Sequence, residues 1–240
     1  MKGVQDKQLS CIFFDICEKM SIPCQIPTVY MSTALLPPVA YMAVIRKMSN
    51  VKLEALETYR KQSFRNRFEI LTTNGRVALT IPVRKTFGNH TLTSEIKICY
   101  AQPWQKVIRG GLEAAYNSSP YFLYFKDELF SIFAERHDKL IDLNHTLLMK
   151  ILDWTGIQAS ISYTHEFYHE VPGCLDLRYA IHPGKIIPEM VFPEYFQTFS
   201  DRYCFQANLS ILDLLFNLGP EAGNYLDNVR LPWISGGTQS

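Results

Sequence analysis

The sequence predicts an α/β fold, with a mixed sheet opened by a βαβ unit with a hairpin, followed by helices and an irregular C-terminal third. Three observations support this class. A strand, a helix and a second strand fit the pattern of residues 33–55. Asn74-Gly75 separates two alternating segments, as in a hairpin. Segments of helical periodicity follow, and four prolines then interrupt residues 166–196.

The βαβ unit begins with a short strand, which we place at residues 33–36. Pro38 suits the first turn of the following helix, because its missing N–H costs nothing at that position. Apolar residues near helical spacing extend this helix to about Met48, and residues 51–55 follow as the second strand. We expect a right-handed unit with parallel strands, whose first loop lies at the carboxyl edge of the sheet, where α/β folds bind ligands.

The predicted hairpin comprises residues 68–72 and 76–83, which alternate between apolar and polar side chains. The intervening Asn74-Gly75 pair predicts a type I′ turn, because both central residues of that turn need a positive φ. Residues 95–100 are expected to form a further strand.

The remaining elements follow from periodicity and from helix-end signals. Gly110-Gly111 weakens the middle of one helix, since glycine is a poor helix former, whereas Gly156 is expected to end another. We expect residues 1–30 to be an N-terminal extension and residues 31–240 a single domain, with Met31 as a natural chain start. The predicted helices are 104–117, 121–134, 139–154, 208–218 and 221–226, and residues 157–164 contain a predicted strand.

Composition indicates a globular protein. A chain of 240 residues, of which 47% are hydrophobic, can bury a sizeable core. No apolar run approaches the ~18 residues that span a bilayer, and the N-terminus does not match a signal peptide. Six cysteines occur without Cys-x-x-Cys spacing, which favours reduced thiols. These features predict a cytoplasmic location.

Charge is distributed unevenly along the chain. Residues 46–109 carry 13 Lys and Arg against four Asp and Glu, whereas the rest carries 11 against 19. The total of +1 therefore conceals a basic part and an acidic part. A basic part of this kind either meets an anionic partner or forms a solvated charged surface, and the sequence leaves both alternatives open.

The main candidate site lies at one end of the predicted hairpin. Guanidinium groups can bind phosphate or carboxylate through two parallel hydrogen bonds. Because few carboxylates are nearby, we predict an anionic ligand between these residues and the Leu36-Pro37-Pro38 loop. Alternatively, the arginines face solvent and their stems cover apolar surface. The candidate residues are Lys61, Gln62, Arg65, Asn66, Arg67 and Lys85.

A second candidate site lies in the irregular segment. His182 could act as a general base near neutral pH, oriented by Asp176. Arg178 would add a substrate-binding cation. The alternative is an Asp176–Arg178 pair that fastens the loop and leaves His182 exposed.

Two further motifs favour structural interpretations. Asp213 and Asn217 share one helix face and need buried partners, such as a basic group or a loop backbone. Residues 165–169 match H-E-x-x-H, a zinc-site pattern that requires a helix. Here a β-prone segment precedes the motif and Pro172 follows it, so we predict no metal site. No pattern identifies a cofactor, and no motif indicates a nucleic-acid partner.

Five ordered segments stand out: TALLPPVAY (33–41), YRKQSFRNR (59–67), AYNSSPYF (115–122), DLRYAIHP (176–183) and NLSILDLLFN (208–217). They resemble the WbqC-like family, in particular its Bacteroidetes-type branch, and the resemblance spans about Met31 to Leu226. One position departs from it: many members carry Gln-Pro in the first loop, where this chain has Leu36-Pro37, so no role of that glutamine is carried over.

The resemblance implies a bacterial transferase in surface-polysaccharide (O-antigen-type) precursor biosynthesis, with acyl or aminoacyl transfer to an amino sugar as one form of that chemistry. The partner would be an anionic small molecule or carrier-linked substrate that bears phosphate. In this interpretation the cations bind the anion, Gln62 and Asn66 orient the acceptor, and His182 is the base. The alternative is a non-catalytic protein that binds an anionic ligand or acts as a scaffold.

Overall fold

The structure is a computed structural model and describes residues 27–234 of the chain. Its strands are β1 (Val29–Ser32), β2 (Asn50–Glu54), β3 (Arg67–Thr72), β4 (Gly75–Thr80), β5 (Val83–Arg84), β6 (Lys97–Ile98), β7 (Ser160–Tyr163) and β8 (Leu175–Asp176). Its helices are α1 (Val39–Met48), α2 (Trp104–Tyr116), α3 (Phe122–Ala134), α4 (Leu140–Thr155), α5 (Ile211–Leu218) and α6 (Ala222–Asn228). Short 3₁₀ turns occupy Gly88–His90, Thr93–Glu95 and Gly219–Glu221.

Four parallel strands form the main sheet in the order β7-β2-β1-β8. The chain moves outward from β1 to β2 and β7, and then returns to the opposite side of β1 as β8. Val29 of β1 is therefore paired with both Val51 and Leu175. Reversal of strand order leaves a crevice at the carboxyl ends of the two strands where it occurs, which here are β1 and β8.

The α/β class and the βαβ unit are confirmed. β1 and β2 are parallel and are connected by α1, whose apolar residues are buried on all sides of the helix. Ser49 ends α1 with a left-handed φ of 56°. The antiparallel pairs β3–β4 and β5–β6 lie outside the parallel sheet.

The hairpin is confirmed, but its predicted turn type is wrong. Thr72 is paired with Gly75, so Thr73 and Asn74 occupy the loop. Gly75 has a φ of +93°, whereas Asn74 does not have a positive φ. One left-handed glycine after the loop is typical of a type I turn followed by a bulge, which also joins antiparallel strands.

The first strand lies earlier than predicted. β1 ends at Ser32, and residues 33–36 form the loop that follows it, with Leu36 at a φ of 42°. Val29 and Tyr30 are buried within β1. The core therefore begins before Met31, and the predicted boundary at residue 30 falls inside a strand. Residues 1–26 of the predicted extension lie outside the described residues.

The central helices are confirmed as α2, α3 and α4, and Gly156 ends α4 with a φ of +65°. The glycine pair within α2 has a packing explanation, since a Cβ on Gly111 would lie 3.2 Å from Leu79 of β4. The predicted strand at 95–100 is reduced to the two residues of β6, because a 3₁₀ turn occupies its first part. Residues 164–210 are irregular apart from β8.

Aromatic side chains join the helices to one another. Tyr116 of α2 and Phe122 of α3 each pack edge to face against Phe216 of α5, with ring centroids 5.0 Å apart.

Within residues 27–234, no helix combines the length and the apolar character needed to span a bilayer.

Candidate functional site

A cavity of about 50 Å³ lies at the crevice where β1 and β8 end. Three segments line it, together with Tyr41 of α1: the end of β1 with the loop after it, the segment before β3, and the segment after β8. The volume accommodates roughly three or four water molecules. The lining residues are Ser32, Thr33, Ala34, Tyr41, Arg60, Ser63, Phe64, Arg65, Leu177, Arg178, Tyr179, Ile181 and His182.

Arg65 forms one wall of the cavity and is almost fully buried. Its Nε donates to Glu57 Oε1 at 3.0 Å, and its Nη2 is ion-paired with the same carboxylate. Nη2 also donates to Ser32 Oγ at 2.8 Å. The expectation that the cations lack local carboxylates is therefore wrong for Arg65, because Glu57 neutralises its charge.

Arg178 also lines the cavity and is also buried. Its guanidinium is 3.2 Å from Glu54 and makes two hydrogen bonds, of 2.9 and 2.6 Å, to Asp176. It also donates to the carbonyl oxygens of Tyr168 and His169. Hydrogen bonds with Asp176 raise the pKa of Arg178. Burial opposes ionisation of Asp176, but hydrogen bonds from Arg178 outweigh it and lower the pKa of that carboxyl. Arg178 therefore fastens the irregular segment to β2.

His182 lies at the exposed edge of the cavity. Its Nδ1 is 2.8 Å from the carbonyl oxygen of Pro183. Since a carbonyl only accepts, Nδ1 donates and Nε2 carries the lone pair. Within the described residues His182 makes no hydrogen bond to Asp176, whose two carboxylate oxygens accept from Arg178.

Arg60 is the cation at the mouth of the cavity, and the sequence analysis did not select it. Its guanidinium lies 4.0 Å from the centroid of the Tyr179 ring. Among the described residues it has no salt bridge, in contrast to Arg65 and Arg178. The signal that would have identified it is its position beside Lys61, in the same cationic run.

The other residues of the main candidate site do not line the cavity: Lys61, Gln62, Asn66, Arg67 and Lys85. Asn66, predicted to orient the acceptor, is buried and donates to the Ile81 carbonyl oxygen at 2.8 Å. Asn66 thereby joins the residue before β3 to the residue after β4. The structure thus brings together Arg65, Arg178 and His182 and separates them from the rest.

Two of these separated cations, Arg67 and Lys85, lie near Tyr59 instead. Lys85 Nζ lies 5.6 Å from the Tyr59 ring centroid. Burial raises the pKa of Tyr59 to about 12, although Arg65 and Arg67 lower it by their proximity. We call Arg60, Lys61, Arg67 and Lys85 the Tyr59 cation group. In the described part of the chain, none of the four has a salt bridge, and Arg67 Nε is buried without a hydrogen-bond partner.

Hydroxyl groups complete the cavity lining. Tyr41 donates to the Ser32 carbonyl oxygen at 2.8 Å, and burial raises its pKa well above the ordinary value. Ser32 Oγ donates to the Arg178 carbonyl oxygen. Thr33 Oγ1 is buried and has no partner among the described residues. These hydroxyls were not among the predicted site residues. The expectation that the first loop binds a ligand could have pointed to the hydroxyl side chains in and beside that loop.

The H-E-x-x-H segment is a loop, so His165 and His169 do not share a helix face. Its glutamate, Glu166, accepts a hydrogen bond from Tyr168 at 2.5 Å. Between residues 27 and 234, no group of three His, Cys, Asp or Glu side chains is arranged to hold a metal ion.

Asp213 is the centre of a separate buried network. Its carboxylate accepts hydrogen bonds from Tyr116 at 2.9 Å, Tyr195 at 2.6 Å and Gln197 at 2.9 Å. Burial raises the pKa of Asp213, although these donors oppose the shift. Asn217 donates to the Asp213 carbonyl oxygen. The network joins α5 to α2 and to the irregular segment, which agrees with the structural interpretation.

Comparisons with known proteins place these features in context. The model of the WbqC-like protein family matches residues 33–177, which include two of the three cavity segments. Rv1507c of Mycobacterium tuberculosis, an uncharacterized protein, is 29% identical over 201 residues, which cover 72% of this chain and 85% of that protein. No solved structure matches the chain.

Proposed function

The chain belongs to the WbqC-like protein family, and from this premise we propose that it is a transferase that binds a phosphate-bearing sugar precursor at the cavity. The observation that carries the proposal is the meeting of Arg60 and His182 at the mouth of a crevice between parallel strands. One residue offers an unpaired cation and the other offers a free ring nitrogen.

Arg60 is suited to an anion. A guanidinium binds phosphate or carboxylate through two parallel hydrogen bonds, and between residues 27 and 234 Arg60 has no carboxylate partner to compete with the ligand. The Tyr179 ring orients it from one side. Arg65 and Arg178 have the opposite character, because their carboxylate partners neutralise them. They shape the cavity and hold its polar groups in place.

His182 supplies the general base of the proposal. Its Nδ1 is held by the Pro183 carbonyl oxygen, so Nε2 can accept a proton. His182 would take the proton of an acceptor amine or hydroxyl as the acceptor atom bonds to the carbonyl carbon of an activated acyl or aminoacyl group. The bond between that carbon and the donor's leaving group then breaks, and His182 can return the proton to the leaving group. This is the step that transfer to an amino sugar requires, and it fits a role in surface-polysaccharide precursor biosynthesis.

The first test measures ligand binding. The purified protein is titrated calorimetrically with sugar phosphates, and Arg60→Ala is compared with Lys106→Ala, an exposed cation on α2. We expect Arg60→Ala to weaken binding by ~1.5–3 kcal/mol, the range for hydrogen bonds to charged groups. Lys106→Ala should leave binding unchanged. Equal affinities of the two variants would contradict the proposal.

A non-catalytic ligand-binding protein is the second candidate. It is favoured by the exposure of His182 and by the absence of a carboxylate hydrogen bond to it within the described residues. His182→Gln separates the two functions, with small-molecule consumption from a bacterial extract followed by mass spectrometry. A transferase loses turnover in this variant and keeps ligand affinity. If the unaltered protein binds a ligand and consumes none, the second candidate stands.

A further inference from the structure

The two buried arginines of the cavity walls face three carboxylates, so the walls carry no excess positive charge, whereas the cations beside the cavity have no salt bridge among the described residues. Glu57 neutralises Arg65, and Glu54 and Asp176 neutralise Arg178. Adding a charged group between such buried pairs is costly, because it must be desolvated without a counter-charge of its own. The cavity interior therefore favours an uncharged polar group.

One residue that lines the cavity lacks a hydrogen-bond partner among the described residues. Thr33 is 2% exposed, and its Oγ1 has no hydrogen-bond partner in the described part of the chain. A buried hydroxyl without a partner is costly, and a ligand hydroxyl would satisfy it. The cavity has room for roughly three or four water-sized groups. This is enough for a few hydroxyls at one edge of a sugar ring.

The Tyr59 cation group shares one residue, Arg60, with the cavity lining. Arg60 belongs to both, since it lines the mouth and follows Tyr59 in sequence. Arg67 and Lys85 lie close to the Tyr59 ring, on the part of the molecule that carries few carboxylates. Cations so placed repel one another unless an anion neutralises them. A single phosphate on Arg60 would leave the rest of the group without a counter-charge.

We infer that the ligand is bipartite: an uncharged, hydroxyl-bearing head enters the cavity, and a diphosphate lies on the Tyr59 cation group. The inference rests on the proposed function and specifies its substrate class. Diphosphates joined to a nucleoside, to a lipid or to neither share this anionic chemistry. The arrangement assigns recognition of the anion to Arg60, Arg67 and Lys85, and recognition of the head to Thr33 and its neighbours.

The test titrates the protein with four probes in low salt: orthophosphate, inorganic pyrophosphate, a nucleoside diphosphate hexose and a short prenyl diphosphate. We expect pyrophosphate to bind at least about tenfold more tightly than orthophosphate, and Lys85→Ala or Arg67→Ala to remove most of that advantage. Lys106→Ala is the matched control and should change neither affinity. Thermal melting of each variant verifies its fold, and Lys85→Ala carries the test if Arg67→Ala does not fold.

The outcomes separate this inference from the proposed function. One outcome is that orthophosphate and pyrophosphate bind equally, that Lys85→Ala changes neither affinity, and that Arg60→Ala weakens the binding of both probes. The diphosphate assignment is then wrong, and the anion site at Arg60 stands. If none of the probes binds, both fall. If the nucleoside diphosphate hexose binds more tightly than pyrophosphate, and Thr33→Val removes that difference, the result supports a head group in the cavity. If the prenyl diphosphate binds more tightly than pyrophosphate and the hexose gives no gain, that assignment is overturned.

Discussion

At the scale of single residues, the cavity depends on two arginines whose partners differ. Glu57 holds Arg65 from within the basic part of the chain, whereas Glu54 holds Arg178 from across the sheet. Buried ion pairs contribute little net stability, but the loss of one partner leaves a buried charge uncompensated. Substitutions of these four residues therefore report on folding, and substitutions of Arg60 and Thr33 report on binding.

Thr33→Val should stabilise the ligand-free protein. The Thr33 hydroxyl is buried without a partner, and its removal relieves an unsatisfied group worth about 1 kcal/mol in the free energy of unfolding. Denaturant titration measures the change. Thr93→Val is the matched control, because Thr93 Oγ1 is equally buried and unpartnered but does not line the cavity. Both variants should gain stability, and only Thr33→Val should weaken ligand binding. A loss of stability in Thr33→Val would show that the hydroxyl is satisfied.

The Asp213 network predicts a pH dependence of unusual sign. Burial raises the pKa of Asp213 above the ordinary value of 3.8, despite the donors around it. The folded protein therefore binds this proton more tightly than the unfolded chain does. The stabilisation that this bound proton gives to the folded protein is complete below the ordinary pKa. It is lost as the pH rises through the raised pKa of the folded state. Relative to Asp213→Asn, the unaltered protein should lose stability across that window. Parallel stability profiles of the two proteins would contradict the direction of the shift.

At the scale of elements, glycine substitutions separate packing from helix propensity. A Cβ on Gly223 of α6 would overlap the carbonyl oxygen of Thr155 in α4, whereas a Cβ on Gly110 of α2 would meet nothing within 4 Å. Gly223→Ala should therefore destabilise the protein by ~1–3 kcal/mol, the range for overpacked sites. Gly110→Ala should stabilise it by about 0.5–1 kcal/mol, because alanine is the better helix former. Chemical denaturation distinguishes these opposite signs, and equal effects would be inconsistent with close contact between α4 and α6.

Truncation tests the position of the first strand. A protein that begins at Met31 lacks Val29 and Tyr30, which pair with both β2 and β8. Its melting temperature should fall well below that of a protein beginning at Pro27, which retains the whole strand. Equal melting temperatures would show that half of β1 suffices.

The sequence predicted elements where periodicity and end signals agree. α2, α3 and α4 are long and amphipathic, and Gly156 ends α4 as its position suggests. β1 was misplaced because residues 33–36 are as apolar as Val29–Ser32, and apolarity does not distinguish a strand from a buried loop. β8 has two residues and is held by its pairing with β1, so no local pattern could reveal it.

The candidate site was predicted only in part, for a related reason. A run of cations indicates an anionic partner, but it does not show which members point into one cavity. Arg65 and Arg178 attracted attention as cations, and the structure shows that carboxylates distant in sequence or on a neighbouring loop neutralise them. Arg60 has the same local sequence character, and only its tertiary surroundings leave it unpaired.

At the scale of the whole molecule, ion pairs connect the basic and acidic parts of the chain. Arg46 is paired with Asp227, Lys97 with Asp138, and Arg178 with Glu54. The first two pairs offset part of the uneven charge distribution, and none of the three includes a residue of the Tyr59 cation group. That group therefore keeps its positive charge beside the cavity, where a diffusing anion would encounter it.

The return of the chain to β1 has a consequence for synthesis on the ribosome. β1 can pair with β2 soon after both emerge, but Ser32 must wait for Arg178, which lies 146 residues later. At about 5–20 residues per second, this interval lasts roughly 7–30 s. Throughout it, one edge of β1 presents unpaired backbone groups to other nascent chains. The cavity is thus completed late in translation, and a chain released before Arg178 lacks one of its walls.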